Sequence, residues 1–151
     1  MRGFEVAKGY DSSETIIPRR STKHSAGYDF TICQSVTLPP GEIKKAATGI
    51  KAYMQEDEVL SIVPRSSLPD RYGVTIPNNV GIIDADYYSN PNNDGAIFIQ
   101  LYNFSNVTVT IPGGTRIAQG IFQKYLIVSG EKVSNTTRNG GFGSTGSGLL
   151  R

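Results

Sequence analysis

Apolar and polar residues alternate one by one through this chain, and the alternating runs are cut off by proline, glycine or asparagine. In Val107-Thr108-Val109-Thr110-Ile111 the apolar residues share one face and the threonines the other, and Pro112-Gly113-Gly114 ends the run. Ala96 to Phe104 carries Ile97, Ile99 and Leu101 on one face and Phe98, Gln100 and Tyr102 on the other. Val59 to Val63 reads as a buried strand stopping at Pro64, Thr31 to Leu38 as a strand ended by Pro39-Pro40-Gly41, and Ile117 to Val128 as one or two further strands. No window of helical length holds an apolar i, i+3, i+4, i+7 stripe with capping signals at both ends. Strands at this spacing predict an all-β, jelly-roll-like barrel or sandwich. The one short helix predicted is Ser66-Ser67-Leu68-Pro69-Asp70-Arg71-Tyr72, where the serines can cap it and Gly73 can end it.

With 151 residues the chain is of single-domain size. Its 17 glycines are unevenly spread: five fall at 140, 141, 143, 146 and 148, in a tail from Ser134 to Arg151 whose only large apolar residues are Phe142, Leu149 and Leu150. Such a tail buries too little surface to fold by itself. The expected division is a β domain over 1–133 and a flexible arm over 134–151, either a loose terminus or a segment that orders on a ligand. No run approaches the length of a membrane span, and the opening MRGFEVAKGY has no apolar core of a secretory signal, so a cytoplasmic location is expected. Cys33 stands alone, which excludes an intrachain disulfide and a cysteine-rich zinc site. A net charge of +2 gives no reason to expect a direct nucleic-acid partner.

Four constellations carry chemistry. Pro64-Arg65-Ser66-Ser67 puts a guanidinium, two hydroxyls and backbone N–H groups where a strand meets a helix. That is a phosphate cradle, or an ordinary cap. In Gly81-Ile82-Ile83-Asp84-Ala85-Asp86-Tyr87-Tyr88 the alternation places Asp84 and Asp86 on one face, with Ile83 and Ala85 on the other. They can orient and deprotonate a water, or be solvated turn acids. Gly114-Thr115-Arg116-Ile117-Ala118-Gln119 offers Arg116 and Gln119 near a strand edge, or is a plain strand start. Arg138-Asn139-Gly140-Gly141-Phe142-Gly143-Ser144-Thr145-Gly146 combines glycines, which admit close phosphate approach, with an aromatic that can stack on a base.

These four, with Ala26-Gly27-Tyr28-Asp29-Phe30 before them, resemble in order the five motifs of the trimeric dUTPases, over residues 26 to 146. The resemblance implies a β jelly roll assembled as a homotrimer, each site built from all three subunits. It implies hydrolysis of dUTP to dUMP and pyrophosphate, which keeps uracil out of DNA and supplies dUMP for thymidylate synthesis. It also implies Mg²⁺ held mainly by the triphosphate and waters, with no protein metal ligand. On this resemblance Asp84 is the general base for the attacking water and accepts the sugar 3′-OH, and Tyr87 packs on the deoxyribose where a 2′-OH would clash. Asn78, with the backbone of 78–82, forms a uracil-reading hairpin that includes Gly81, with Ile83 beside it. Arg65, Ser66, Ser67 and Gln119 hold phosphates. Arg138, Gly143, Ser144 and Thr145 close over the outer phosphates, and Phe142 covers uracil. Asp29, Asp86 and Arg116 support these groups.

The chain departs from the family pattern in two places that bear on the site. Tyr88-Ser89-Asn90-Pro91-Asn92-Asn93-Asp94-Gly95 replaces a short Arg-Gly-Glu-type turn, an insertion expected to leave Asp84 and Tyr87 alone and to alter the trimer surface. It is also where a regulatory protein partner would be sought if the chain is phage-encoded. Thr115 stands where Asp is common, which is expected to deprive Arg116 of a partner. The dCTP deaminases share Arg65-Ser66-Ser67-Leu68 but carry a catalytic Glu where Gln100 sits, and lack the tyrosine at 87. His24, the single histidine, is expected at the surface or an interface.

Overall fold

The structure is a computed structural model and describes residues 1–133, 138, 140 and 141. Twelve strands are formed among them: β1 (Gly3–Val6), β2 (Arg19–Arg20), β3 (Tyr28–Thr31), β4 (Val36–Leu38), β5 (Ile43–Ala47), β6 (Ile50–Tyr53), β7 (Glu58–Pro64), β8 (Val74–Thr75), β9 (Gly81–Asp84), β10 (Phe98–Asn103), β11 (Val109–Ile111) and β12 (Arg116–Lys124). One short helix, α1 (Ser67–Tyr72), follows β7, and Gly73 ends it in the left-handed conformation. Ser66 is its N-cap residue by position but makes no side-chain cap hydrogen bond.

The largest sheet runs β2-β3-β12-β7-β9, all antiparallel. A second runs β5-β10-β8, and β1-β6 and β11-β4 are antiparallel pairs. This is the jelly-roll-like all-β architecture that the alternation predicts. In β10 the inward residues are Ile99, Leu101 and Asn103, and in β7 they are Glu58, Leu60 and Ile62. Phe30, Ile32, Leu38, Leu60, Leu101 and Ile117 are completely buried in the core. A register slip of one residue in any of these strands would turn its apolar set to solvent. Asn103 is the polar exception, and its amide is satisfied: it donates to the carbonyls of Leu38 and Val107, both at 2.8 Å, and accepts from Ser105 N–H at 2.9 Å.

Two strands differ from their sequence reading. Thr31 to Leu38 is broken into β3 and β4, because Ile32 and Cys33 turn their N–H groups to the carbonyls of Thr115 and Ala47. The stretch 117–128 is a single strand that ends at Lys124, and Leu126, Ile127 and Val128 beyond it are exposed. His24 is exposed, as expected.

Candidate active site

The floor of the site is β9 and the turn after it. Strand pairing with β7 holds Asp84 opposite Val59. The chain then leaves the strand: Ala85–Tyr87 form one 3₁₀ turn. The alternation that would place Asp84 and Asp86 on one face therefore stops at Asp84. Arg138 nevertheless joins the two carboxylates, donating from Nε to Asp86 Oδ1 at 2.8 Å and pairing through a terminal nitrogen with Asp84 Oδ2.

Tyr87 points inward and is 5% exposed. With Asn78, Gly81, Ile82, Ile83, Phe98, Arg138 and Gly141 it lines a cavity of about 200 Å³. Gly141 lies directly on its ring: a Cβ there would come within 2.9 Å of Cε2. Asp84 faces a neighbouring open cleft with Asp86, Met54 and Tyr125, and Arg138 lines both spaces. Asn78 and Val80 sit on a tight turn, Val80 N–H donating to Asn78 O at 2.7 Å. This turn is not a paired hairpin. β8 on one side hydrogen-bonds to β10 and β9 on the other to β7, so residues 76–80 cross between two sheets.

A second cluster forms at the other end of β7. Asp29 of β3 accepts from Ser21 Oγ at 2.6 Å and from Arg116 at 3.1 Å, and lies 3.5 Å from a guanidinium nitrogen of Arg65. One half-buried carboxylate thus orients two arginines. Arg116 does not lack a partner, although Thr115 precedes it, because β3 carries Asp29 alongside β12. Gln119 stands opposite Asp29 in that register, and its side chain packs where a Cβ on Gly27 would collide with it. The exposed hydroxyl residues Ser66 and Ser67 follow at the start of α1.

A single copy does not bring the two clusters together. Asp84 faces Val59 near one end of β7, and Arg65 follows its other end, six positions along. At about 3.3 Å per residue the separation is roughly 20 Å, farther than a triphosphate chain reaches. Phe142, Gly143, Ser144 and Thr145 lie outside the described residues.

The insertion after Tyr87 does not leave the site alone, contrary to expectation. Asn93 Nδ2 donates to the Tyr87 phenol oxygen and Asn90 Nδ2 to the Tyr87 carbonyl, both at 2.8 Å. Neither asparagine is in the five motifs; the run of asparagines directly after Tyr87 was the available signal. Phe98, which lines the cavity, falls in the sequence on the strand face opposite Ile97, Ile99 and Leu101, with nothing to mark it as a site residue.

The dUTPase family model matches residues 13–146. A deoxyuridine 5′-triphosphate nucleotidohydrolase from Lactococcus lactis subsp. lactis (strain IL1403) is 49% identical over 147 residues, covering 97% of this chain and 98% of its own. The dUTPase from Streptococcus mutans superposes with a TM-score of 0.81 at 43% identity, covering 85% of this chain and 99% of its own. The Staphylococcus bacteriophage 80alpha dUTPase with dUPNHPP, one of the phage dUTPases described as controlling transfer of virulence genes, shares the fold at 22% identity. Its TM-score is 0.73, with coverage of 97% of this chain and 98% of its own. No helix among the described residues is long and apolar enough to cross a membrane. A family model over most of the chain and relatives this similar show that it belongs to the dUTPase family and is a dUTP diphosphatase.

Proposed function

We propose that the chain hydrolyses dUTP to dUMP and pyrophosphate by attack of an Asp84-activated water on the α-phosphorus. The observation that carries this is the placement of the Asp84 carboxylate in an open cleft next to the cavity that Tyr87 lines, with Arg138 lining both spaces. Asp84 takes the proton of the water as its oxygen bonds to phosphorus. The bond from that phosphorus to the bridging oxygen breaks, and pyrophosphate leaves. Arg138 has to release Asp84 before that carboxylate can accept a proton, and in this reading it moves to the outer phosphates. Arg65, Ser66, Ser67 and Gln119 hold the phosphate oxygens on which charge grows, Arg65 with its guanidinium oriented by Asp29. Asn78, Gly81 and Ile83 receive uracil in the cavity of about 200 Å³, Phe142 covers it, and Gly143, Ser144 and Thr145 complete the lid. Tyr87 packs on the sugar and leaves no room for a 2′-OH.

Among the described residues no three His, Cys, Asp or Glu side chains converge, and Asp84 and Asp86 are already bridged by Arg138. Arg65, Ser66 and Gln119 would hold the triphosphate, and Mg²⁺ would be carried on its oxygens and on waters. When bound there, Mg²⁺ neutralises phosphate charge. The distance between the two clusters supports a homotrimer in which one copy supplies Asp84 and Tyr87 and another supplies Arg65, Ser66 and Gln119. The 134–151 segment acts as the arm of the 1–133 domain, and the products serve a cytoplasmic pool from which dUTP is cleared and dUMP supplied.

Product analysis with dUTP, dCTP and UTP tests the reading. Pyrophosphate from dUTP alone is expected, and release of ammonia from dCTP would contradict it.

A further inference from the structure

The loop between Tyr87 and Ala96 is built around the tyrosine. Asn90 is 5% exposed, and its Nδ2 donates both to Tyr87 O and to Asn93 Oδ1, each at 2.8 Å. Its Oδ1 accepts the N–H groups of Asn92 at 3.1 Å and Asn93 at 3.2 Å. Asn93 Oδ1 also accepts Gly95 N–H at 3.1 Å. The loop therefore fixes the Asn93 amide from its oxygen side and leaves its nitrogen directed at the tyrosine, with a longer bond of 3.4 Å to Ala96 O. Tyr87 Oη donates to Ala96 O and accepts from Asn93 Nδ2, both at 2.8 Å. Outside the loop, Asp94 takes Lys8 N–H at 2.8 Å and Lys51 Nζ at 2.9 Å, which ties it to β6 and to the segment after β1. Burial lowers the Lys51 pKa, but the bond and charge of Asp94 together with Tyr88 and Glu5 outweigh it and the net shift is upward, so the tie stays charged at neutral pH.

We infer that Asn93 is a positioning residue for sugar selection: its amide holds the Tyr87 phenol so that the ring cannot yield to a ribose 2′-OH. The inference rests on the reading of Tyr87 as the sugar wall. A ring pinned only by packing can tilt into the cavity of about 200 Å³ that it lines. A phenol held by one donated and one accepted hydrogen bond cannot do so without leaving a buried polar atom unpaired.

The test is the ratio of kcat/KM for UTP to that for dUTP in Asn93→Ala, Tyr87→Phe, the double variant and Tyr87→Ala, with melting temperatures alongside. Asn93→Ala is expected to raise the ratio about tenfold, on the scale of one buried hydrogen bond. Tyr87→Phe, which removes the phenol oxygen with its bonds to Asn93 and Ala96 and keeps the bonds among Asn90, Asn92, Asn93 and Gly95, is expected to raise it at least as much. It carries the test if Asn93→Ala does not fold. The double variant is expected to rise less than the two single effects combined, since both changes remove the Asn93–Tyr87 hydrogen bond. An unchanged ratio in Asn93→Ala and Tyr87→Phe beside a raised one in Tyr87→Ala would overturn the role of Asn93 alone. An unchanged ratio in all of them would overturn the sugar-wall reading beneath it.

Discussion

Asp29 shows what a single side chain does here that its neighbours in sequence do not reveal. Its carboxylate holds Arg65 and Arg116 at 3.5 Å and 3.1 Å and accepts Ser21 Oγ at 2.6 Å. Replacing it with Ala leaves two guanidiniums without a common anchor. Asp29→Ala is expected to raise KM for dUTP about tenfold or more, the worth of one charge-assisted hydrogen bond, with a smaller effect on kcat. Steady-state kinetics measure this, and an unchanged KM would remove Asp29 from the phosphate-holding group. The sequence marks Asp29 as a motif residue but hides its partners. With Thr115 before it, Arg116 looked unpaired, because its partner arrives through the register of β3 on β12 rather than through the chain. Asn93 was hidden for a similar reason: an asparagine-rich loop looks like a solvated insertion until its amides are seen to turn inward.

At the scale of elements, the strands were legible wherever one face is buried. The inward sets of β10 and β7 follow the period-two pattern, apart from the polar residues each strand buries. The turn after Asp84 was not, because nothing in Asp84-Ala85-Asp86 breaks the alternation that a 3₁₀ turn ends. Glu58 opens β7 on the inward face and is 3% exposed. Arg2, whose guanidinium hydrogen-bonds to it, holds its carboxyl down from 4.5 to about 2. The unfolded chain therefore takes up this proton at higher pH than the folded one. The stabilisation is complete above pH 4.5 and is lost as pH falls towards about 2. Glu58→Gln is expected to lower the melting temperature at neutral pH and to flatten its fall across that acid range. Melting curves at several pH values measure this; an acid limb as steep as in the parent protein would show that other carboxylates set it.

Across the whole molecule, five ordered motifs made the family and its chemistry legible, but not how one copy divides them. β7 separates Asp84 from Arg65 by roughly 20 Å, a length fixed by strand rise and by the register of β9. If different copies supply the two halves of each site, two inactive variants should complement one another. Co-assembled in equal amounts, Asp84→Asn and Arg65→Ala subunits are expected to recover about a quarter of the parent turnover, the share of sites drawing both intact residues from different subunits. Turnover no higher than that of the separate variants would place both residues of a site in one copy.

The carboxylate of Asp84 is the centre of the account, and Asp84→Asn tests it most directly. The amide keeps the shape of the side chain and loses its power to accept a proton. Single-turnover hydrolysis of dUTP is measured beside its equilibrium binding. Binding near the parent value with hydrolysis reduced by about a thousandfold or more is the predicted result. Hydrolysis within a few-fold of the parent would show that another group activates the water.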